Sequence, residues 1–304
     1  MNTQHAVHAR QLGPVRKSAV FNHGLDAGEF TSDDALAAVL DGYPSDLIDI
    51  NLYNFDAKGQ VHLTAGTRGD LTGAQLLEAV RAGRLWVNLR KVEQYWPALW
   101  EAASDAFADI SSAYSNLRAV KRSGQLIISS PKTRVPYHFD ASGVVLFHMR
   151  GIKRMFVYPS DEAHQPEWAM EDIVARRTTE ELPYDLSFED DADVFELHPG
   201  EALIWPFYAP HRVENVDGPC VSLSVDFQTW HSRACTGSLY THAFLRTRGM
   251  TPPSVAKLGG LNLALRWLAS LPLRRLQVLG NGIASIPKQF VPDAKAEDGA
   301  RFST

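Results

Sequence analysis

Cysteine is almost absent. Cys220 and Cys235 are the two cysteines in 304 residues, too few for a disulfide framework and lacking the partner pair that a structural zinc site takes. We read both as reduced thiols of a cytoplasmic protein. Long apolar runs are missing too. No stretch reaches the roughly 20 residues that a membrane-spanning helix needs, and residues 1 to 30 lack the continuous apolar centre of a signal peptide. Charge of one sign is in no great excess. A net charge of −5 argues against a mainly electrostatic grip on nucleic acid, so no nucleic-acid partner is expected. Internal repeats are absent.

What is present is an ordinary globular composition. With 45% apolar and 21% charged residues, the chain has length for one large core or two smaller ones. His5, His8 and His23 lie in a mixed polar leader and read as solvated. Thr31-Ser32-Asp33-Asp34 caps a short helix through Ala35–Leu40. Asp46–Tyr53 alternates as a strand, with Gln60–Thr64 as its hairpin partner across a turn containing Asp56 and Gly59. Thr72 opens a second helix through Leu76, Leu77 and Val80, and Leu85–Leu89 is a strand. Val92–Tyr114 has helical spacing, with Trp96, Leu99, Trp100, Ala103 and Phe107 on one stripe that reads as core packing.

From Ala119 the pattern changes to short strands: Gln125–Ser130, Tyr137–Asp140, Val144–Arg150, Arg154–Pro159, Asp193–Leu197, Ala202–Trp205 and Val221–Phe227. Gly151, Pro159, Pro199-Gly200 and Asp217-Gly218-Pro219 supply the turns. Such a series predicts a sandwich or barrel. Residues 162–192 form an acid-rich insertion, a lid or a long surface loop. After Trp230 the chain turns helical. Val255–Leu279 reads as two short helices interrupted by Pro272, and the tail from Pro287 as loose. We divide the chain into an N-terminal α/β flank (1–115), a strand-rich core (116–235) and a C-terminal helical region (236–304).

The chemistry gathers at two places. Pro136-Tyr137-His138-Phe139-Asp140 sets a His and a carboxylate two residues apart, on one side of a strand end. Trp205-Pro206-Phe207-Tyr208-Ala209-Pro210-His211 supplies a second His. Two imidazoles and one carboxylate make the facial triad of non-haem Fe(II) oxygenases, a set that Mn(II), Co(II) or Zn(II) also accepts.

In order, His138-Phe139-Asp140, Gly151-Ile152-Lys153-Arg154, Pro199-Gly200-Glu201-Ala202-Leu203-Ile204-Trp205-Pro206 and His211 resemble the JmjC and cupin-like branch of Fe(II)- and 2-oxoglutarate-dependent oxygenases. The likeness spans residues 85 to 230. That stretch is similar to the asparaginyl hydroxylase acting on hypoxia-inducible factor and its bacterial cupin-like relatives. The resemblance implies a mainly β fold, a double-stranded β-helix (jelly-roll) core with flanking helices. It implies that His138, Asp140 and His211 hold Fe(II) and that Lys153 pairs with the distal carboxylate of 2-oxoglutarate. It also implies that O2 and 2-oxoglutarate are consumed to hydroxylate a protein side chain or a small-molecule substrate. By analogy, the C-terminal helices form a homodimer. They would otherwise pack on the barrel or lie on a membrane surface.

The chain departs from the pattern at several positions. The resembling hydroxylase has a Thr where Val135 stands, and amides where Val144 and Asp226 stand. Further partners for 2-oxoglutarate are therefore sought in Tyr137, Ser130 and Ser222, and Arg150 or Arg154 stands beside Lys153 as an alternative anchor. Asp226 either orients substrate near the metal or caps a strand. Trp205, Phe207 and Tyr208 are expected to wall the pocket, and His148 to be a packed, hydrogen-bonded histidine. The acidic insertion, with Glu180, Glu181, Glu189, Asp190 and Asp191, would suit a basic or peptide substrate. Two other readings stay open: a metal-dependent cupin enzyme that does not use 2-oxoglutarate, and a non-catalytic cupin-like binding module.

Overall fold

A computed structural model describes residues 12–25, 27–55, 61–131, 133–280, 282, 286–296 and 298–302. His5, His8 and the turn at Asp56 and Gly59 lie outside the described residues. The N-terminal flank runs β1 (Ala19–Asn22), α1 (Ala27–Thr31), α2 (Asp33–Gly42), β2 (Ile48–Phe55), β3 (Val61–Gly66), α3 (Gly73–Ala82), β4 (Leu85–Arg90), α4 (Val92–Tyr95) and α5 (Pro97–Ser112). The core follows with β5 (Lys121–Ser129), β6 (Arg134–His138), β7 (Gly143–Val157), α6 (Glu167–Val174), β8 (Asp193–Leu197), β9 (Glu201–Ile204) and β10 (His211–Gln228). α7 (Trp230–Thr247), α8 (Gly260–Arg275), β11 (Lys288–Pro292) and β12 (Ala300–Phe302) complete it.

Local chemistry sets the helix starts. Ser32 Oγ accepts the Ala35 N–H at the head of α2, and Thr72 and Gln75 close a reciprocal capping box on α3. The 92–114 segment is two helices, because Pro97 starts a new one after Trp96. Its stripe packs as expected, with Leu99, Ala103 and Phe107 buried.

The two longest strands replace three expected short ones. β7 runs through Gly151 at φ 81°, and β10 through Gly218 at φ 63°. The glycines mark bulges inside one ladder, with register shifts between Asn215 and Val221, rather than turns between strands. A Cβ on Gly151 would stand 2.8 Å from Cys220 Sγ and 2.9 Å from Asp217 O, so the bend needs glycine there.

This bend builds the core. The first half of β7 pairs with β9 and with the second half of β10, which also pairs with β5. The second half of β7 pairs with β8 and with the first half of β10, which also pairs with β6. Two walls thus share two strands. Val144, Leu146, Met155, Leu197, Leu203 and Val213 pack between them. The result is a jelly-roll, double-stranded β-helix core with flanking helices. The sheet does not stop at residue 115. β5 pairs with β4, which continues through β2, β3, β11 and β12.

Three expectations fail for identifiable reasons. The tail is not loose: Phe290 is buried against Gly66, and β11 extends the sheet edge in parallel with β3. Pro272 does not split its helix, because α8 has only three residues left to run and loses a single donor. The acidic 162–192 segment is not simply a loop. It contains α6, whose Glu167 and Glu171 are buried, and a 3₁₀ turn at Leu186–Asp191 where Glu189 accepts from Arg212. Composition shows acids as solvated when their partners are distant in sequence.

Candidate active site

β6 and β10 run antiparallel with His138 and His211 as register partners, which sets the two imidazoles side by side at a ring-centre distance of 4.2 Å. Asp140 follows two residues after His138, and its Oδ2 lies 3.3 Å from His211 Nε2. One ligating atom from each of the three residues falls within 4.8 Å of the others.

The tautomers follow from the neighbours. His138 Nδ1 is 2.7 Å from Pro136 O, and His211 Nδ1 is 3.1 Å from Ala209 O. A carbonyl oxygen only accepts, so both protons sit on Nδ1 and both Nε2 lone pairs are free for a cation. Burial, and then His138, lowers the His211 pKa to about 4, so its imidazole is in the neutral, ligating form at neutral pH. Two imidazoles and a carboxylate, with no thiolate, fit Fe(II) and its neighbours in the first transition row.

These residues open into a cavity of about 360 Å³. Lys153, on β7 and in the parity of Met155, lines it and is 3% exposed. No carboxylate among the described residues pairs with it, and burial lowers its pKa. A buried ammonium without a counter-ion is costly, and an anionic ligand in the cavity would supply one. The alternative anchors point elsewhere: Arg150 pairs with Asp33, and Arg154 with Glu196.

The other three candidates for co-substrate binding are not at the cavity. Tyr137 alternates away from His138, packs against Tyr158 and donates to His164 O at 2.8 Å. Ser130 is a buried structural link: its Oγ donates to Val80 O and accepts from Leu85 N at 2.7 Å. Ser222 has cavity parity but lies deeper, with its Oγ 3.0 Å from His148 Nδ1. Of the three aromatics only Trp205 lines the cavity, with its ring centre 4.8 Å from that of His211. Phe207 packs on Phe227, and Tyr208 donates to Ser232 O in the core. His148 is fully buried and hydrogen-bonded, as expected. His23 is buried rather than solvated, its Nε2 donating to His148 O at 2.9 Å.

The opposite side of the cavity is acidic. Asp226 lines it and accepts from Gln125 Nε2 at 2.7 Å, and burial and then Asp140 raise its pKa to about 7. Glu180 and Glu181 come in from the insertion, tied to the end of β6 by the Phe139 N–H to Glu180 O and Leu182 N–H to Tyr137 O bonds. Burial and Asp140 also raise the Glu180 pKa, an effect softened by solvent because the residue as a whole is exposed. Tyr53 and Trp86, from the N-terminal flank, close the wall. Sequence reading missed Gln125, Tyr53, Trp86 and Ser224 as lining residues, since only the strand order β10-β5-β4-β2 brings them here.

No family model matches the chain, and no curated protein matches it. Among solved structures the chain is similar to the Escherichia coli ribosomal oxygenase YcfD. The identity is 16%, over 86% of this chain and 63% of that one, with a TM-score of 0.45. The structure of YcfD with cobalt and 2-oxoglutarate matches at 16% identity, over 87% of this chain and 63% of that one, with a TM-score of 0.46. Its complex with cobalt and succinic acid gives 15% identity, 86% and 63% coverage, and a TM-score of 0.42. The chain thus spans less than two thirds of the length of the structures it matches.

Proposed function

We propose that the protein is an Fe(II)- and 2-oxoglutarate-dependent oxygenase that hydroxylates a C–H bond of a protein side chain or a small molecule. One observation carries this reading: a candidate cation site of two Nε2 atoms and a carboxylate shares a cavity with a buried lysine that has no carboxylate counter-ion among the described residues. His138, Asp140 and His211 would hold the metal from one side, leaving its other positions open. Lys153 would fix the distal carboxylate of 2-oxoglutarate. Bound Fe(II) supplies the redox chemistry, in which substrate C–H, O2 and 2-oxoglutarate become C–OH, succinate and CO2. The apolar side chains of Val144, Leu146, Met155 and Val213 exclude water from around the co-substrate.

The acidic half of the cavity, with Asp226, Glu180 and Glu181, favours a substrate that brings a cationic group or several hydrogen-bond donors. We also read the protein as a homodimer through α8, where Leu261, Leu265, Leu268 and Leu271 form an exposed apolar stripe on the face opposite buried Leu263. A cytoplasmic location is supported by the two free, buried thiols, Cys220 and Cys235.

The deciding experiment is an anaerobic titration of metal-free protein with Fe(II) and then 2-oxoglutarate. The oxygenase reading expects the visible charge-transfer band of a chelated 2-oxo acid, lost in Lys153→Met. Fe(II) binding with no band at any 2-oxoglutarate concentration would overturn it and favour a cupin of another class.

A further inference from the structure

A second cluster lies outside the cavity, between α6 and α7. Glu167 and Glu171 are one helical turn apart on α6 and so project from the same face. His242 projects toward them from α7 and is 0% exposed, while Glu167 and Glu171 are buried to 5% and 1%. The His242 ring nitrogens have no hydrogen-bond partner, and neither has Glu171 Oε1. Burying such groups without partners is costly, yet here they face one another.

The distances point to what belongs between them. His242 Nδ1 is 3.5 Å from Glu167 Oε1 and 3.8 Å from Glu171 Oε1. Both exceed the ~3.2 Å limit of an ordinary N–H···O bond. They lie near the about 3.4 Å edge of a tetrahedron whose metal–ligand bonds are about 2.1 Å. The carboxylates are already held in place: Val255 N–H donates to Glu167 Oε1 at 2.9 Å, and Arg246 Nε donates to Glu171 Oε2 at 2.5 Å. Arg246 thereby occupies one oxygen of Glu171 and leaves Oε1 facing the imidazole. Outer partners that orient ligands in this way are typical of metal sites.

We propose that Glu167, Glu171 and His242 form a second, structural site for a divalent transition cation of the zinc type. Two carboxylates, one imidazole and no thiolate suit Zn(II) or Co(II). Beside the Arg246 charge, the two carboxylates keep a net negative site for the cation. The cation would pin α6 to α7 and to the Val255 turn, and so fix the root of the segment that carries Glu180 and Glu181 to the cavity mouth. Because the cluster is closed to solvent, the cation enters as the chain folds.

The test uses the full chain with the cavity triad disabled by His138→Ala and His211→Ala, so that it does not depend on the oxygenase reading. The protein is unfolded with chelator, refolded with Zn(II) or Co(II), passed through gel filtration and assayed for metal. The site expects one zinc per chain, falling to none on adding His242→Gln, and a Co(II) form with the intense visible bands of a coordination number below six. If His242→Gln does not refold, the Co(II) spectrum of the triad-disabled protein decides alone. A folded, triad-disabled protein that holds no zinc, keeps its zinc despite His242→Gln, or gives only the weak bands of six-coordinate Co(II) would overturn the proposal. The first of these outcomes would leave the cluster as carboxylates and imidazole sharing protons.

Discussion

Lys153 and Asn215 face each other as register partners across the β7–β10 ladder, and they meet burial in opposite ways. Asn215 Nδ2 donates to Ser129 Oγ and to Ser130 O, both at 2.8 Å. Lys153 has no such partner among the described residues. Replacing it by Met removes a buried, uncompensated charge. The cofactor-free variant is therefore expected to be more stable than the parent by about 1–4 kcal/mol. It should also lose stabilisation by 2-oxoglutarate. Urea unfolding with and without the ligand checks both; a less stable variant that still responds to 2-oxoglutarate would contradict the assigned role.

Metal binding should show as linkage. Mn(II) at about 100 times its dissociation constant is expected to add about 2.7 kcal/mol to unfolding. Asp140→Ala and His211→Ala should abolish the part of this that comes from the cavity. Thermal melts in the His242→Gln background isolate that part.

Burial, and then the Lys153 charge, lowers the His148 pKa from 6.5 to about 3. As pH falls below 6.5, the unfolded chain takes up a proton that the folded chain refuses. Stability is therefore lost between pH 6.5 and about 3, at up to about 1.4 kcal/mol per pH unit. His148→Gln should flatten this limb by one proton, although it lowers stability at neutral pH. Proton uptake on unfolding, measured from the pH dependence of urea midpoints, would be unchanged if His148 were not responsible.

Ser130→Ala should act on the fold and not on the co-substrate. It strips the Leu85 N–H and the Val80 carbonyl of a buried partner, at a cost of about 1–3 kcal/mol. The 2-oxoglutarate dissociation constant should stay within a factor of two of the parent's. A selective loss of 2-oxoglutarate affinity would restore Ser130 as a ligand contact.

For the α8 stripe, Leu265→Glu with Leu268→Glu places two charges on a face that is already exposed. Sedimentation velocity is expected to change from dimer to monomer with the fold intact. A parent protein that already sediments as a monomer would remove the dimer reading.

The grouping of His138, Asp140 and Lys153 at one cavity was legible in the sequence because its signals are local. His138 and Asp140 share a strand-end parity, and Lys153 shares one with Met155. Tyr137 could have been set aside by the same rule, since it alternates with His138. Ser130 and Ser222 could not, because what occupies their hydroxyls comes from α3, β4 and β7. The merging of short strands into β7 and β10 was hidden for a related reason. Glycine signals a turn and a bulge alike, and only the pairing partner separates them. The burial of Glu167 and Glu171 and the pairing of Glu189 were hidden because Arg246, Val255 and Arg212 lie far along the chain.

The bend at Gly151 has a consequence for how such a protein changes over time. It assigns His138, His211 and Lys153 to one wall of the core, and Gln125 and Asp226 to the other. Under the proposed function, the residues that would grip metal and co-substrate thus sit on one wall, and those that would meet the target on the other. Mutations on the second wall would then redirect the reaction to new targets while the first kept the same chemistry.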